Sequence, residues 1–231
     1  MDTAKDSRVL VLEDALRRLN DIVTNRKLKM HIDYSRLVGS LKTAGALLYE
    51  VKYSYIDAVA LSDLPATTHL VESISEFSDV YFKALQSGHK PASIKEQIVH
   101  IDVEYALRIV MGFQDRLRNF DDDPGRAVDI LAVEVSSAKP IEGSTNLTQC
   151  RCTDGSRIWN IVTNIPNIKP GTKLACAILP PVEMMGVISE AMFLGGTPLP
   201  DSINVGLMSS PPDPSLDQAR AQVLQITKRM T

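Results

Sequence analysis

Apolar residues recur along the first half of the chain at alternating spacings of three and four. Val9, Leu12, Leu16, Leu19 and Val23 form the first such stripe, beginning just after Asp6 and Ser7. That rhythm is the mark of a helix burying one face. Tyr34, Leu37, Leu41, Ala44, Leu48, Val51, Tyr55 and Ala58 keep the rhythm and predict one longer helix. Leu64 and Pro65 break it, because a residue before proline is pushed away from helical angles. Leu70, Ile74, Phe77, Tyr81 and Ala84 make a third stripe, stopped by Ser87, Gly88 and Pro91. A fourth opens on Ser93 and Glu96, spaced as a capping box, and runs through Ile94, Ile98, Ile101, Tyr105, Ile109 and Phe113. Amphipathic helices joined by short connections predict an antiparallel bundle over residues 1–122. The heptad-like second helix would equally serve a coiled-coil homodimer.

The rhythm changes after Asp121, Asp122, Asp123, Pro124 and Gly125, a run of like charge closed by a turn dipeptide. Residues 128–134 are dense enough in alternating apolar positions for a buried strand. Residues 145–152 alternate too, Asp154 and Gly155 signal a hairpin turn, and residues 157–163 return as its partner. Residues 173–178 and 190–194 supply two more strands. Between them Pro180 and Pro181 cannot donate ladder hydrogen bonds, and Gly186 reaches angles closed to other residues. The expectation is strand, tight irregular loop, strand. Five short strands within residues 127–212 predict a small closed or partly open barrel. A stiff spacer with Pro211, Pro212 and Pro214 follows. Ser215 and Gln218 then repeat the capping-box spacing, and Leu216, Ala219, Val223, Ile226 and Met230 predict an amphipathic helix over residues 213–231, packed on its own protein or meeting a partner. The fold class is α+β multidomain: an N-terminal all-α helical bundle, then a C-terminal five-stranded β-barrel and a terminal helix.

Composition narrows the chemistry. The 231 residues are 44% apolar, enough to bury real cores. No run approaches the ~18 apolar residues of a membrane span, and the first residues lack the apolar core of a signal peptide. A soluble, cytoplasmic protein without membrane contact is expected. Three cysteines are too few for a disulfide framework. A net charge of −3 excludes bulk attraction to nucleic acid, so any such role needs a local patch.

Metal and catalytic chemistry find little support. His31, His69, His89 and His100 stand far apart, with no histidine pair at i, i+4 and no cysteine nearby. They are expected as exposed or core residues rather than ligands. Cys150 and Cys152, two apart on a strand, share a face. With Cys176 they make three thiols and no fourth ligand, so small buried residues are expected there instead of metal. Ser189 has no histidine in its half to act as base, and Asp129, Glu134, Glu142 and Asp154 are scattered. The reading is a non-enzyme with no catalytic residues, no cofactor and no metal.

A resemblance enters through the strand-rich half. Ile130 to Val135, the turn after Lys139 and Pro140, Ile161 with Val162, and above all Leu179, Pro181, Met185, Gly186, Val187, Ser189 and Met192 carry it. Residues 127–196 resemble the tRNA-binding domain found on some methionyl-tRNA synthetases, in the endothelial-monocyte-activating polypeptide, and as free-standing proteins. The whole layout resembles archaeal proteins that join a helical body to such a domain. The resemblance implies an oligonucleotide-binding (OB-fold) barrel and RNA, tRNA first of all, as partner. Where the family reads Asn-Leu-Lys-Pro and then a basic residue, this chain has Ile178, Pro180 and Glu183. The family's Asp-Lys-Leu is here Thr145, Asn146 and Leu147.

Carried onto this chain, an RNA surface would use Arg151 and Arg157 on the two arms of the hairpin, with Lys139, Lys169 and Lys173. Arginine's planar fork suits phosphate. Asn146, Asn164 and Ser189 would reach ribose or base edges, beside Met185 and Gly186. Trp159 is either core or a platform on which a base stacks. Residues 127–212 hold five basic and seven acidic residues, and affinity for phosphate scales with the cations available. The lost basic positions favour a second reading, an interaction module that keeps the barrel but dimerises or docks on an assembly such as an aminoacyl-tRNA synthetase.

Overall fold

The computed structural model describes residues 1–228. The chain divides into two compact units, one of Met1–Ala127 with the chain from Val223 on, the other of Val128–Gln222.

The first unit is helical. Helix α1 spans Ser7–Thr24 and starts on Asp6, whose carboxylate accepts the N–H of Arg8. The same carboxylate pairs with the buried Arg8 guanidinium at 2.7 Å, and that side chain also donates to the carbonyls of Phe120 and Asp121. Helix α2 spans Tyr34–Lys52, α3 Ala58–Asp63, α4 Pro65–Leu85, α5 Ile94–Met111 and α6 Phe113–Asn119. Leu64 is extended and Pro65 opens α4, as proline at a first helical position should.

Where the single long second helix was expected, the chain stops at Lys52. Tyr55 takes a left-handed φ of 54° and donates its N–H to Thr3 Oγ1, while Asp57 caps a fresh helix by accepting from Ala60 N–H. A tertiary hydrogen bond and a capping aspartate thus override the apolar rhythm. The capping box at Ser93 is half present. Ser93 Oγ accepts Glu96 N–H, but the Glu96 carboxylate reaches past Ser93 to Ala92 N–H and to His89 Nε2. On α5 the buried face is Val103, Ala106 and Val110 with Tyr105 and Ile109, and Ile94, Ile98 and Ile101 are only half-buried. Phe113 is buried but lies beyond Gly112, in α6. His89 and His100, far apart in sequence, stand with ring centroids 5.5 Å apart.

The second unit is an antiparallel sheet. Strands β1 (Ile130–Pro140), β2 (Thr148–Thr153), β3 (Ile158–Thr163), β4 (Lys173–Met184) and β5 (Val187–Phe193) pair in the order β3-β2-β1-β4-β5, and β6 (Gly206–Leu207) pairs with β1. The hydrogen-bonded ladder does not close. Side chains join the edges of β3 and β5 instead: Val162 N–H donates to Ser189 Oγ at 2.9 Å, and Asn160 N–H to Glu190 Oε2 at 2.8 Å.

Two elements depart from expectation. Strand β4 runs straight through Pro180 and Pro181, because its register with β5 is interrupted between Ile178 and Val182 and no ladder N–H is needed there. The stretch expected as an irregular loop is therefore a hairpin whose only turn residues are Met185 and Gly186. Helix α7 spans Asp213–Thr227 and starts before Ser215, whose hydroxyl donates to the Leu194 carbonyl rather than capping. Leu216, Ala219 and Val223 are buried, and Met230 lies outside the described residues. No helix among the described residues is long and apolar enough to cross a membrane.

Candidate nucleic-acid interface

Strand alternation sorts β2 into two faces. Cys150 and Cys152 point inward with no exposure, while Arg151 between them is exposed. Burial pushes the two thiols up, to about 11 and about 12, so both stay protonated and suit the core rather than a metal. Directly opposite pairs in an antiparallel sheet share a face. Register sets Ser137 and Asn160 on either side of Arg151, and Gln149 opposite Lys139. The solvent side of β1, β2 and β3 is thus a polar strip of Ser137, Lys139, Gln149, Arg151 and Asn160.

Two connections border this face. The β1–β2 connection carries Gly143 at φ 79°, and the β4–β5 turn carries Met185 at φ 50° and Gly186 at φ 79°. The two meet: a Cβ on Gly143 would lie 3.5 Å from Met185 Cε. Asn146 and Met185 are exposed near these turns, and Asn164 and Lys169 are exposed on the connection from β3 to β4.

Other expected contacts serve the fold. Trp159 is 3% exposed, and its indole N–H donates to Asp154 Oδ2 at 2.9 Å. Its ring lies under the Arg157 guanidinium, 3.8 Å from ring centroid to carbon, so it presents no open platform to a base. Arg157 pairs with the buried Glu190. Lys173 donates to the carbonyls of Asp201 and Ile203 at 2.9 and 2.8 Å. Ser189 is 6% exposed and spans the edge seam, accepting from Val162 N–H and donating to the Ala191 carbonyl. Of the five basic side chains of residues 127–212, Lys139, Arg151 and Lys169 extend to solvent unpaired among the described residues.

Glu190 and Asp154 were missed as organising residues. Glu190 accepts from Arg157, from Asn160 N–H and from Asn160 Nδ2. Asp154 accepts from the N–H of Ser156 and Arg157 and from the Ser156 hydroxyl as well as from the indole. The only sequence signal was the Asp154–Gly155 turn dipeptide; nothing near Glu190 in the sequence points to a strand 30 residues away.

A helical unit followed by an open antiparallel sheet with one polar face defines the class of protein. The family described as "Alpha helical domain" matches residues 1–119, and the family described as "Putative tRNA binding domain" matches residues 130–216. The chain belongs to the alpha helical domain family, and its residues 130–216 are similar to the putative tRNA-binding domain. Among solved structures, a methionyl-tRNA-synthetase-related protein from Pyrococcus horikoshii is similar at 24% identity with a TM-score of 0.35, over 38% of this chain and 94% of that one. No curated protein matches the chain.

Proposed function

We infer that this is a non-catalytic RNA-binding protein whose sheet unit is a partly open oligonucleotide-binding barrel taking tRNA on the outer face of β1, β2 and β3. The observation that carries the reading is the solvent-facing Arg151, set in register between Ser137 and Asn160 and flanked by Lys139, on the sheet of a domain whose family is described as tRNA-binding. In such barrels the face of strands 2 and 3 and the loops after strands 1 and 4 bind oligonucleotides. The meeting of Gly143 and Met185 supports a rim at that edge. Lys139, Arg151 and Lys169 would neutralise backbone phosphate, while Asn146, Asn164 and Asn160 offer amides to ribose and base edges. Arg157, Trp159, Lys173 and Ser189 are engaged within the sheet unit. A tRNA partner fits a cytoplasmic protein.

Filter binding with unfractionated tRNA at two salt concentrations tests this. Three cations predict weak binding whose log K falls with log salt at a slope of about −2 to −3. No binding at low salt, or binding indifferent to salt, removes the reading.

A second reading, a homodimer or a docking module for an aminoacyl-tRNA synthetase, draws on one observation. Tyr49 on α2 and Tyr53 just past its end stack at 6.4 Å and are 69% and 51% exposed, with Tyr55 beside them at 59%. Tyrosine is enriched at interfaces because it joins apolar area to a hydrogen-bonding tip. Light scattering of the full chain and of a Tyr49→Ser, Tyr53→Ser variant decides the homodimer: equal monomeric masses remove it.

A further inference from the structure

We propose that His89, Glu96 and His100 form a binding site for a divalent transition-metal ion of the zinc class, pinning the α4–α5 connection to helix α5. A nitrogen from each ring and a carboxylate oxygen lie within 4.8 Å of one another. Glu96 and His100 are i, i+4 on α5 and so share its face, and His89 comes down from the connection before it. Ligands held at about 2.0–2.2 Å around a tetrahedral ion stand roughly 3.3–3.5 Å apart. His89 Nε2 and Glu96 Oε1, hydrogen-bonded at 2.9 Å, would part slightly to admit an ion, and His100 would close on it.

Two of the three donors, Glu96 and His100, are oriented from behind, as metal ligands are. The second Glu96 oxygen accepts Ala92 N–H at 2.8 Å. His100 Nδ1 meets the Tyr81 hydroxyl at 2.8 Å, and that hydroxyl lies 3.4 Å from the His100 carbonyl. The arrangement that satisfies both has Nδ1–H donating to the phenol oxygen and the phenol donating to the carbonyl. It leaves Nε2 with its lone pair. His100 is 5% exposed, and its Nε2 is a buried polar atom without a hydrogen-bond partner among the described residues. An isolated buried nitrogen costs stability; a cation beside it removes that cost. Two imidazoles and one carboxylate suit zinc, with a fourth position for water. The His89 side chain keeps 18% exposure, which gives an ion a way in. The site is independent of the RNA reading.

The full-length chain, stripped with chelator and dialysed, is titrated with zinc chloride by calorimetry and with cobalt chloride by visible absorption. We expect one zinc per chain, a tetrahedral cobalt spectrum, and an unfolding midpoint that rises with zinc. His89→Gln and Glu96→Gln each remove a ligand and should weaken zinc by more than the roughly 10- to 100-fold that loss of an outer partner costs, shrinking the midpoint shift at a fixed zinc concentration while keeping the helical circular dichroism. His100→Ala adds nothing if it fails to fold, since the other two variants decide. The proposal is overturned by absence of zinc binding to the wild-type chain. It is equally overturned by binding that survives both variants, or that is lost only when Cys150 and Cys152 are replaced by serine.

Discussion

The Arg157 guanidinium lies over the Trp159 ring at 3.8 Å and pairs with the buried Glu190 carboxylate on β5. That one arginine joins the β2–β3 hairpin to the strand across the open edge of the sheet. Glu190 also holds Asn160 N–H, so its loss strands a donor at the seam as well as a charge. Glu190→Ala should lower stability by about 1–3 kcal/mol, the cost of leaving buried donors unpaired. Urea unfolding followed by tryptophan fluorescence reads it directly, since Trp159 is the single tryptophan. An unchanged midpoint would show that β3 and β5 are held without the Glu190 carboxylate.

Arg151 and Arg157 should behave differently toward tRNA. Arg151 is exposed on the sheet face and Arg157 is engaged by Glu190 and Trp159. Arg151→Ala should weaken tRNA binding and reduce the magnitude of the salt slope by about one, with little change in stability. Arg157→Ala should reduce stability and leave the slope as it was. Filter binding across a salt series checks both; the opposite pattern would move the interface to the hairpin arm that bears Arg157.

Acid should act on this unit through Asp154. Burial alone would raise its carboxyl, but donors from Arg157 N–H, the Ser156 hydroxyl and N–H and the Trp159 indole favour the ionised form and hold it at about 2. An unfolded aspartate titrates near 3.9, roughly. The folded value is the lower one, so the ionised form stabilises the fold above about pH 4, and that contribution is lost as pH falls from about 4 toward about 2. Asp154→Asn removes the titration. The stability gap between wild type and Asp154→Asn should be constant near neutrality and shrink through that acid window, as measured by thermal unfolding of both at each pH.

The sequence disclosed the helical unit well where burial is periodic: Leu12, Leu19, Leu37, Leu41, Leu70, Ile74 and Phe77 all end in the core. It failed where one distant group decides a local angle. Tyr55 leaves the helix because Thr3 takes its N–H, and no local pattern encodes that. The sheet strands were legible from alternation and from the Asp154–Gly155 turn. The length of β4 was not, since prolines read as a break unless the ladder is known to lapse between Ile178 and Val182. The partners of the charged residues were not legible. Arg157 and Lys173 look like phosphate ligands in sequence, yet their partners, Glu190 and the carbonyls of Asp201 and Ile203, lie about 30 positions away. The approach of His89, Glu96 and His100 was not legible either, because only histidine pairs were sought at i, i+4 and here the pair is Glu96 with His100.

The turn of Met185 and Gly186 joins stability to the proposed interface. Met184 pairs with Val187 across it, and both turn residues have positive φ, 50° and 79°. A two-residue turn of that kind favours Asn-Gly, because a short polar side chain tolerates the left-handed region that methionine enters at a cost. Met185→Asn should therefore stabilise the chain by up to about 1 kcal/mol, part of the left-handed penalty that asparagine relieves. Backbone strain retained where a better residue exists is a pointer to function. Here the Met185 side chain, 55% exposed, also reaches the β1–β2 connection at Gly143. If that contact shapes the rim of the tRNA face, Met185→Asn gains stability and loses tRNA affinity together, by a few-fold at constant salt. Urea unfolding and filter binding on the same variant separate the cases. A gain in stability with unchanged affinity would make Met185 a turn residue and nothing more, and would take the β4–β5 turn out of the interface.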